Sequence, residues 1–166
     1  RPLSAEETDF LAACVAGTST VTYAAVEAAP TAVVVGLEPE EECPILFLRL
    51  RKAAAKRGLR VYAVAPLLSR GFQKLSATLV SAMPGGEAKV LADRRQAVLR
   101  DALAEPGAIL LVGERLAGVP GGLSAAARLA AETGAKLAWV PRRAGDRGAV
   151  DTGCLPNLLP GGRPVT

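Results

Sequence analysis

Short, continuous apolar runs alternate along the chain with longer segments in which apolar positions recur at helical spacing. The continuous runs predict buried strands over residues 31–37, 60–64, 108–112 and 136–140, with a weaker strand over 75–80. The periodic segments predict helices over residues 4–16, 22–29, 44–57, 87–92, 94–104 and 124–133. Such alternation is typical of an α/β fold. We therefore predict an open, doubly wound, mostly parallel sheet of Rossmann-like form with helices on both faces.

The most apolar runs, residues 33–35 and 109–111, should lie in the centre of this sheet, because central parallel strands are buried on both faces. Capping residues mark several helix starts. Ser4 and Ser124 are predicted N-caps, and Pro44 fits the first turn of its helix, where the missing N–H costs nothing.

The chain has 166 residues, enough for one domain with a real core, and we treat residues 1–166 as a single domain. Residues 141–166 are rich in Gly and Pro without periodicity, which predicts an irregular tail. Because the chain opens at Arg1 and not at Met, we expect it to be a piece of a longer polypeptide. Its apolar runs are shorter than a membrane span needs, so direct membrane insertion is not expected.

Composition excludes several kinds of chemistry. The chain has no histidine, which removes His-based acid–base catalysis and His metal ligands. Its three cysteines, Cys14, Cys43 and Cys154, are far apart in sequence, so no C-x-x-C spacing of a zinc or iron–sulfur site is present. We therefore expect no catalytic residue, no metal site and no bound iron within these residues.

The charge balance is basic, with a formal net charge of +4, and arginine supplies most of the cations. Nucleic-acid binding favours basic residues clustered among aromatics. Aromatic residues make up only 4% of this chain and its charges are scattered, so we expect no nucleic-acid partner.

Loops after the strands are the candidate ligand sites, because doubly wound sheets bind ligands at the carboxyl ends of their strands. The loop after Gly36 carries four acidic residues: Glu38, Glu40, Glu41 and Glu42. We expect their side chains to be solvated and to interact favourably with the positive N-terminal end of the following helix. The alternative is that they bind a metal ion. The loop after Gly113 has glycines but no phosphate-binding motif. The later basic loop is expected to be solvated, or else to grip an anion or an acidic neighbour: Arg142, Arg143 and Arg147.

Four short motifs in this order resemble those of the molybdopterin-dinucleotide oxidoreductases. A strand ends in Gly36 and is followed by Glu38 and Pro39, where that family has Asn and Pro. The second motif, around Pro66, has lost its Asp and Arg. The third motif includes Gly85 and Glu87, with Glu87 where that family has Asp. The fourth includes Asp146 and Gly148, with Asp146 where the family has Asn.

Two longer strings narrow the resemblance to one branch of that family. VVVGLEPEEECPILFLRLRKAAAKRGLRVYAVAP and GCLPNLLPGGRPV are similar to the actinobacterial form of the large iron–sulfur subunit of bacterial NADH:quinone oxidoreductase, respiratory complex I. The resemblance covers most of the chain, from about Tyr23 to Val165.

The resemblance implies a structural and interaction domain in which the molybdopterin site is degenerate and no cofactor binds. It also implies iron–sulfur clusters elsewhere in the parent subunit. The implied partners are the other subunits of the peripheral arm, and the implied location is the cytoplasmic face of the plasma membrane. The alternative is a functional oxidoreductase domain that binds molybdopterin or another nucleotide. The first interpretation is favoured because acids near Glu38 would repel a pyrophosphate.

Overall fold

Five parallel strands form the central sheet of the computed structural model, which describes residues 4–17 and 21–165. The strands are β1 (Thr31–Val35), β2 (Arg60–Ala65), β3 (Thr78–Ser81), β4 (Ile109–Gly113) and β5 (Lys136–Val140). Their order is β3-β2-β1-β4-β5, and every neighbouring pair is parallel. The prediction of an α/β fold with a parallel sheet is therefore confirmed, and the two most apolar runs lie in the inner strands β1 and β4.

Nine α-helices surround this sheet within the described residues. They are α1 (Ala5–Phe10, continued by a π-helical turn, Leu11–Val15), α2 (Tyr23–Ala28), α3 (Pro39–Glu42), α4 (Pro44–Arg57), α5 (Arg70–Lys74), α6 (Glu87–Ala92), α7 (Ala97–Ala104), α8 (Gly122–Thr133) and α9 (Asp146–Asp151). A 3₁₀ segment, Glu114–Gly118, follows β4. None of these helices is both long enough and apolar enough to cross a bilayer.

Two apolar layers lie on opposite faces of the sheet, as the predicted double winding requires. Val33 and Val35 of β1 point into one layer, which is completed mainly by α1, α6, α7, α8 and α9. Ala32 and Val34 point into the other layer, which is completed by α2, α4 and α5. Every residue of β1 is buried. That explains why its sequence is continuous and does not alternate.

Short elements account for most differences from the predicted ones. Helices α3 and α5 were not predicted, because one turn of helix is too short to show a period. Helix α7 begins at Ala97 and not at 94, since Asp93 accepts a hydrogen bond from the Arg95 amide and holds a turn there (N···O 2.9 Å).

The predicted irregular tail, residues 141–166, has structure of its own. It holds α9 and a small antiparallel ladder of β6 (Leu158–Leu159) and β7 (Arg163–Pro164). Val150, Leu155 and Leu158 are buried in the same layer as α8. These short elements were not predicted, because their apolar anchors are single residues between glycine turns, and such spacing has no helical or strand period.

The N-terminus of α8 is capped from a distance. Its N-cap position is Gly121, and the carboxylate of Glu6 accepts hydrogen bonds from the amides of Gly121 and Ser124, both at 2.8 Å. Ser124 is therefore a residue of the first turn and not the predicted cap. At α1 the prediction was right, because Ser4 Oγ accepts a hydrogen bond from the Glu7 amide at 3.1 Å.

Replacing Glu6 with Gln should lower the free energy of unfolding by about 1 kcal/mol near pH 7, because a carboxamide places an NH₂ group against one of the two amide donors. Partial burial raises the pKa of Glu6, but the hydrogen bonds from Ser124 and Gly121 outweigh it and hold this pKa below its ordinary value. The stabilisation is therefore complete above the unfolded pKa of about 4.3 and is lost as pH falls through the folded pKa.

Urea unfolding of the wild type and Glu6→Gln near pH 7 and near pH 3 measures this difference. Glu41→Gln is the matched control, because Glu41 is exposed and makes no ion pair within the described residues. A Glu6 effect of equal size at both pH values would contradict the capping role.

Candidate functional site

The point where the winding of the sheet reverses lies between β1 and β4. The chain leaves β1 toward β2 on one face and reaches β4 over the other face. Doubly wound sheets bind ligands in the crevice at the carboxyl ends of such a strand pair. The loops that begin at Gly36 and at Glu114 meet here, so this edge is the candidate functional site.

Backbone packing closes the crevice between these two loops. A Cβ atom on Gly113 would lie 2.1 Å from the Gly36 carbonyl oxygen, and one on Gly36 would lie 2.8 Å from the Leu116 amide nitrogen. Gly36 also has a φ of +63°, which favours glycine. Leu116 is only 1% exposed, so its side chain fills space that an open crevice would offer to a ligand.

A small cavity of about 280 Å³ remains beside Leu116. Four of the positions that the sequence motifs indicated line it together: Gly36, Glu38, Pro66 and Glu87. Of these residues, Glu38 and Glu87 each have one carboxylate oxygen, Oε1 and Oε2 respectively, that is buried without a hydrogen-bond partner. Two carboxylates beside one arginine, Arg115, form a poor electrostatic environment for a pyrophosphate, and the volume falls below the usual 300–1,000 Å³ of ligand pockets.

The remaining motif positions do not line this cavity. Pro39 is buried at the first position of α3, and Gly85 lies in the exposed turn before α6, with a φ of +78°. Asp146 and Gly148 lie on α9. Asp146 pairs there with Arg143 (3.7 Å), and Gly148 is exposed.

Glu42 connects three loops at the carboxyl edge of the sheet. Its Oε1 accepts a hydrogen bond from the Glu38 amide at 2.8 Å and lies 3.0 Å from an Arg115 guanidinium nitrogen. Its Oε2 lies 3.4 Å from Nε of Arg142. The side chain is only 8% exposed, so the expectation of a solvated glutamate was wrong here. The local sequence shows acids before a helix but does not show these arginines.

Other charges of this edge are paired as well. Glu40 forms an ion pair with Lys74 of α5, whereas Glu41 is exposed as predicted. The repulsion that four free carboxylates would exert on a phosphate is therefore much reduced. Packing around Leu116 is the stronger obstacle to a ligand.

The basic loop after β5 grips acidic neighbours, which was the less favoured of its predicted roles. The Arg142 amide donates to Glu114 Oε2 at 3.1 Å, and Arg143 lies 3.8 Å from Glu114 Oε1. Arg147 donates through Nε to both carboxylate oxygens of Asp151 at 3.0 Å. Most of the positive charge of this loop is therefore paired with carboxylates of the same chain.

Sequence reasoning missed Arg115 and Leu116, which no motif marks. The signal that could have found them is their position directly after the buried strand β4, at the edge where the loops of this fold meet. Among residues 4–17 and 21–165, no three His, Cys, Asp or Glu side chains converge as metal ligands. Cys14 and Cys43 are half-buried and neither forms a disulfide, and burial raises the pKa of the Cys14 thiol.

Comparison with known proteins matches the chain to part of a larger polypeptide. The G subunits of NADH-quinone oxidoreductase from Mycobacterium bovis and Mycobacterium tuberculosis are each 59% identical to the chain over 99% of its length. The corresponding protein of Streptomyces coelicolor is 47% identical over 98% of the chain. The chain spans about a fifth of the length of these relatives, and no protein-family model matches it. The resemblance carried by the two sequence strings is thus confirmed: over nearly its whole length, this chain is homologous to a segment of proteins named as the G subunit of NADH-quinone oxidoreductase.

Proposed function

We propose that the chain is a segment of the G subunit of an NADH-quinone oxidoreductase and serves there as a scaffold and interaction domain without a cofactor of its own. The observation that carries the proposal is the filling of the switch-point crevice by Leu116, between two glycine contacts. In a dinucleotide-binding domain the same place holds the pyrophosphate. In this chain the Leu116 side chain occupies that place and belongs to the apolar core.

The degenerate motif positions support this interpretation. Glu38 and Glu87 replace neutral or shorter residues of the resembling family, and each leaves a buried carboxylate oxygen without a partner. A buried pyrophosphate needs hydrogen-bond donors, which ionised carboxylates cannot supply, and each polar group left unpaired costs about 1–3 kcal/mol. The residues of this edge therefore do not fit a molybdopterin dinucleotide.

The parent subunit would supply what this segment lacks. Under the proposal, iron–sulfur clusters lie in other parts of the polypeptide, and electrons pass from NADH to quinone without involving residues 1–166. The partners are other subunits of the peripheral arm of complex I. The location is the cytoplasmic face of the plasma membrane, where the assembled complex holds this domain.

An affinity tag on the full polypeptide in its host tests the proposal directly. We expect other subunits of NADH-quinone oxidoreductase to co-purify with the tagged polypeptide and to be absent from an untagged control strain. A tagged polypeptide that purifies without them would contradict the proposed membership.

Calorimetry with GDP, with and without Mg²⁺, tests the absence of a nucleotide site. We expect no saturable heat in either buffer, because Leu116 occupies the crevice and Glu38 faces the adjoining cavity. Micromolar binding that is lost in Glu38→Lys would favour a functional nucleotide-binding oxidoreductase domain instead.

Replacing Glu42 with Gln separates a structural role from a ligand-binding one. The neutral amide keeps one acceptor but turns an NH₂ toward an arginine, so the free energy of unfolding should fall by about 1–3 kcal/mol. Denaturant unfolding measures it, with Glu41→Gln as the exposed control, which should stay within about 0.5 kcal/mol of wild type. Equal stability of both variants would show that the Glu42 connections do not hold the loops.

A further inference from the structure

The net charge of the chain is concentrated on one helix. Helix α4 carries five cations and no carboxylate. All five are exposed: Arg49, Arg51, Lys52, Lys56 and Arg57. Glu27 of α2 pairs with three of them, which leaves a formal charge of +4 on α4 and Glu27 together. That equals the formal charge of the whole chain, so the remaining cations and carboxylates balance one another.

Internal ion pairs leave part of this charge uncompensated. Glu27, only 8% exposed, lies 2.6 Å from Arg49, 3.2 Å from Lys52 and 3.9 Å from Arg57. Hydrogen bonds from Arg49 and Lys52 hold the pKa of Glu27 below its ordinary value, so it stays ionised. Arg51 and Lys56 make no ion pair within the described residues. The carboxyl edge of the sheet, by contrast, pairs its arginines internally.

Exposed apolar side chains lie among these cations. Ile45 and Leu48, one turn apart on α4, are 54% and 55% exposed. Tyr23 of α2 is also exposed, and the Arg49 guanidinium lies 5.8 Å from the centre of its ring. Tyrosine, arginine and large aliphatic side chains on one surface are typical of the centre of a protein interface. We call the exposed side of α4 together with Tyr23 the α4 surface.

The α4 surface continues into a concave apolar cavity of about 690 Å³. Tyr23 and Ile45 form its border with that surface, and Leu46, Leu111 and Val140 are among the apolar residues that line it. Arg142 and Arg143 line it on the side of the basic loop. A cavity of this size accommodates several side chains.

We propose that the α4 surface and its cavity dock an acidic protein segment that inserts apolar side chains into the cavity and presents carboxylates to α4. This inference rests on the proposed function, because it places that segment within the complex that contains this polypeptide. A lipid surface would favour a convex apolar face that projects into the headgroups. Here the apolar area leads into a concavity, and a protein side chain fits it better.

Zero-length crosslinking with a carbodiimide tests the docking in the purified complex. The reagent joins a lysine amine to a carboxylate in direct contact, so Lys52 and Lys56 should be linked to Asp or Glu outside residues 1–166. Lys89 of α6 and Lys136 of β5 are exposed elsewhere and should give no such links. A Lys52–Glu27 link within the chain is the internal control.

A pair of matched variants tests the apolar contact. Ile45 and Val98 are equally exposed, at 54% and 52%, and Val98 lies on α7 at the opposite face of the sheet. Ile45→Asp should reduce the yield of Lys52 and Lys56 crosslinks about tenfold, as loss of an interface anchor does. Val98→Asp should leave the yield unchanged.

Three results would overturn the inference. One is an intact complex in which Lys52 and Lys56 link only to Glu27. Another is equal crosslink yield in the Ile45→Asp and Val98→Asp proteins. The third is binding of the chain to phosphatidylglycerol vesicles, lost in Lys56→Glu, without any link to another protein segment. Failure of the proposed function would be seen separately, because no oxidoreductase subunit would then co-purify with the polypeptide. The docking inference would still be decided by the crosslinks that Lys52 and Lys56 form in whatever assembly contains the polypeptide.

Discussion

The burial of β1 on both faces is the constraint on which the rest of the structure depends. Neither face of Thr31–Val35 can hold an unpaired polar side chain, so four of its five residues are apolar. The Thr31 hydroxyl is satisfied at the amino end by Arg60 and Glu105. Helices must then cover both sides of the sheet, and the chain must leave β1 through the tightly packed Gly36.

The packing that follows from this constraint also decides the character of the carboxyl edge. Because β1 and β4 are neighbours, their loops approach within backbone contact, and Leu116 fills the space between Gly36 and Gly122. Glu42 then fastens the loops after β1, β4 and β5 through Arg115 and Arg142. An edge that is filled by an aliphatic side chain and tied together by the ion pairs of Glu42 stabilises the fold. Such an edge supports the scaffold interpretation over a nucleotide-binding one.

The carboxyl edge of the sheet and the α4 surface differ in how far their charges are paired within the molecule. At the carboxyl edge, arginines pair with Glu42, Glu114 and Asp151. On α4, three of the five cations share the carboxylate of Glu27, and exposed aliphatic side chains lie among the five. Internal ion pairs at the carboxyl edge leave little electrostatic potential to attract a partner. The α4 surface keeps a positive electrostatic potential that attracts acidic groups. The two surfaces therefore suit different roles, one in stability and one in recognition.

The sequence alone determined the strands, the long helix α4 and the double winding, because each depends on a local period or on burial of a whole run. Four of the five strands begin within one residue of the predicted positions, and α4 matches its predicted bounds. Tertiary structure alone decided the contacts between loops: Glu6 reaches the N-terminus of α8, and Glu42 meets Arg115 and Arg142. The spacing of apolar residues along a helix or strand indicates which of its faces is buried. It does not report which strands are neighbours, and strand order is what brings these charges and Leu116 together at one edge.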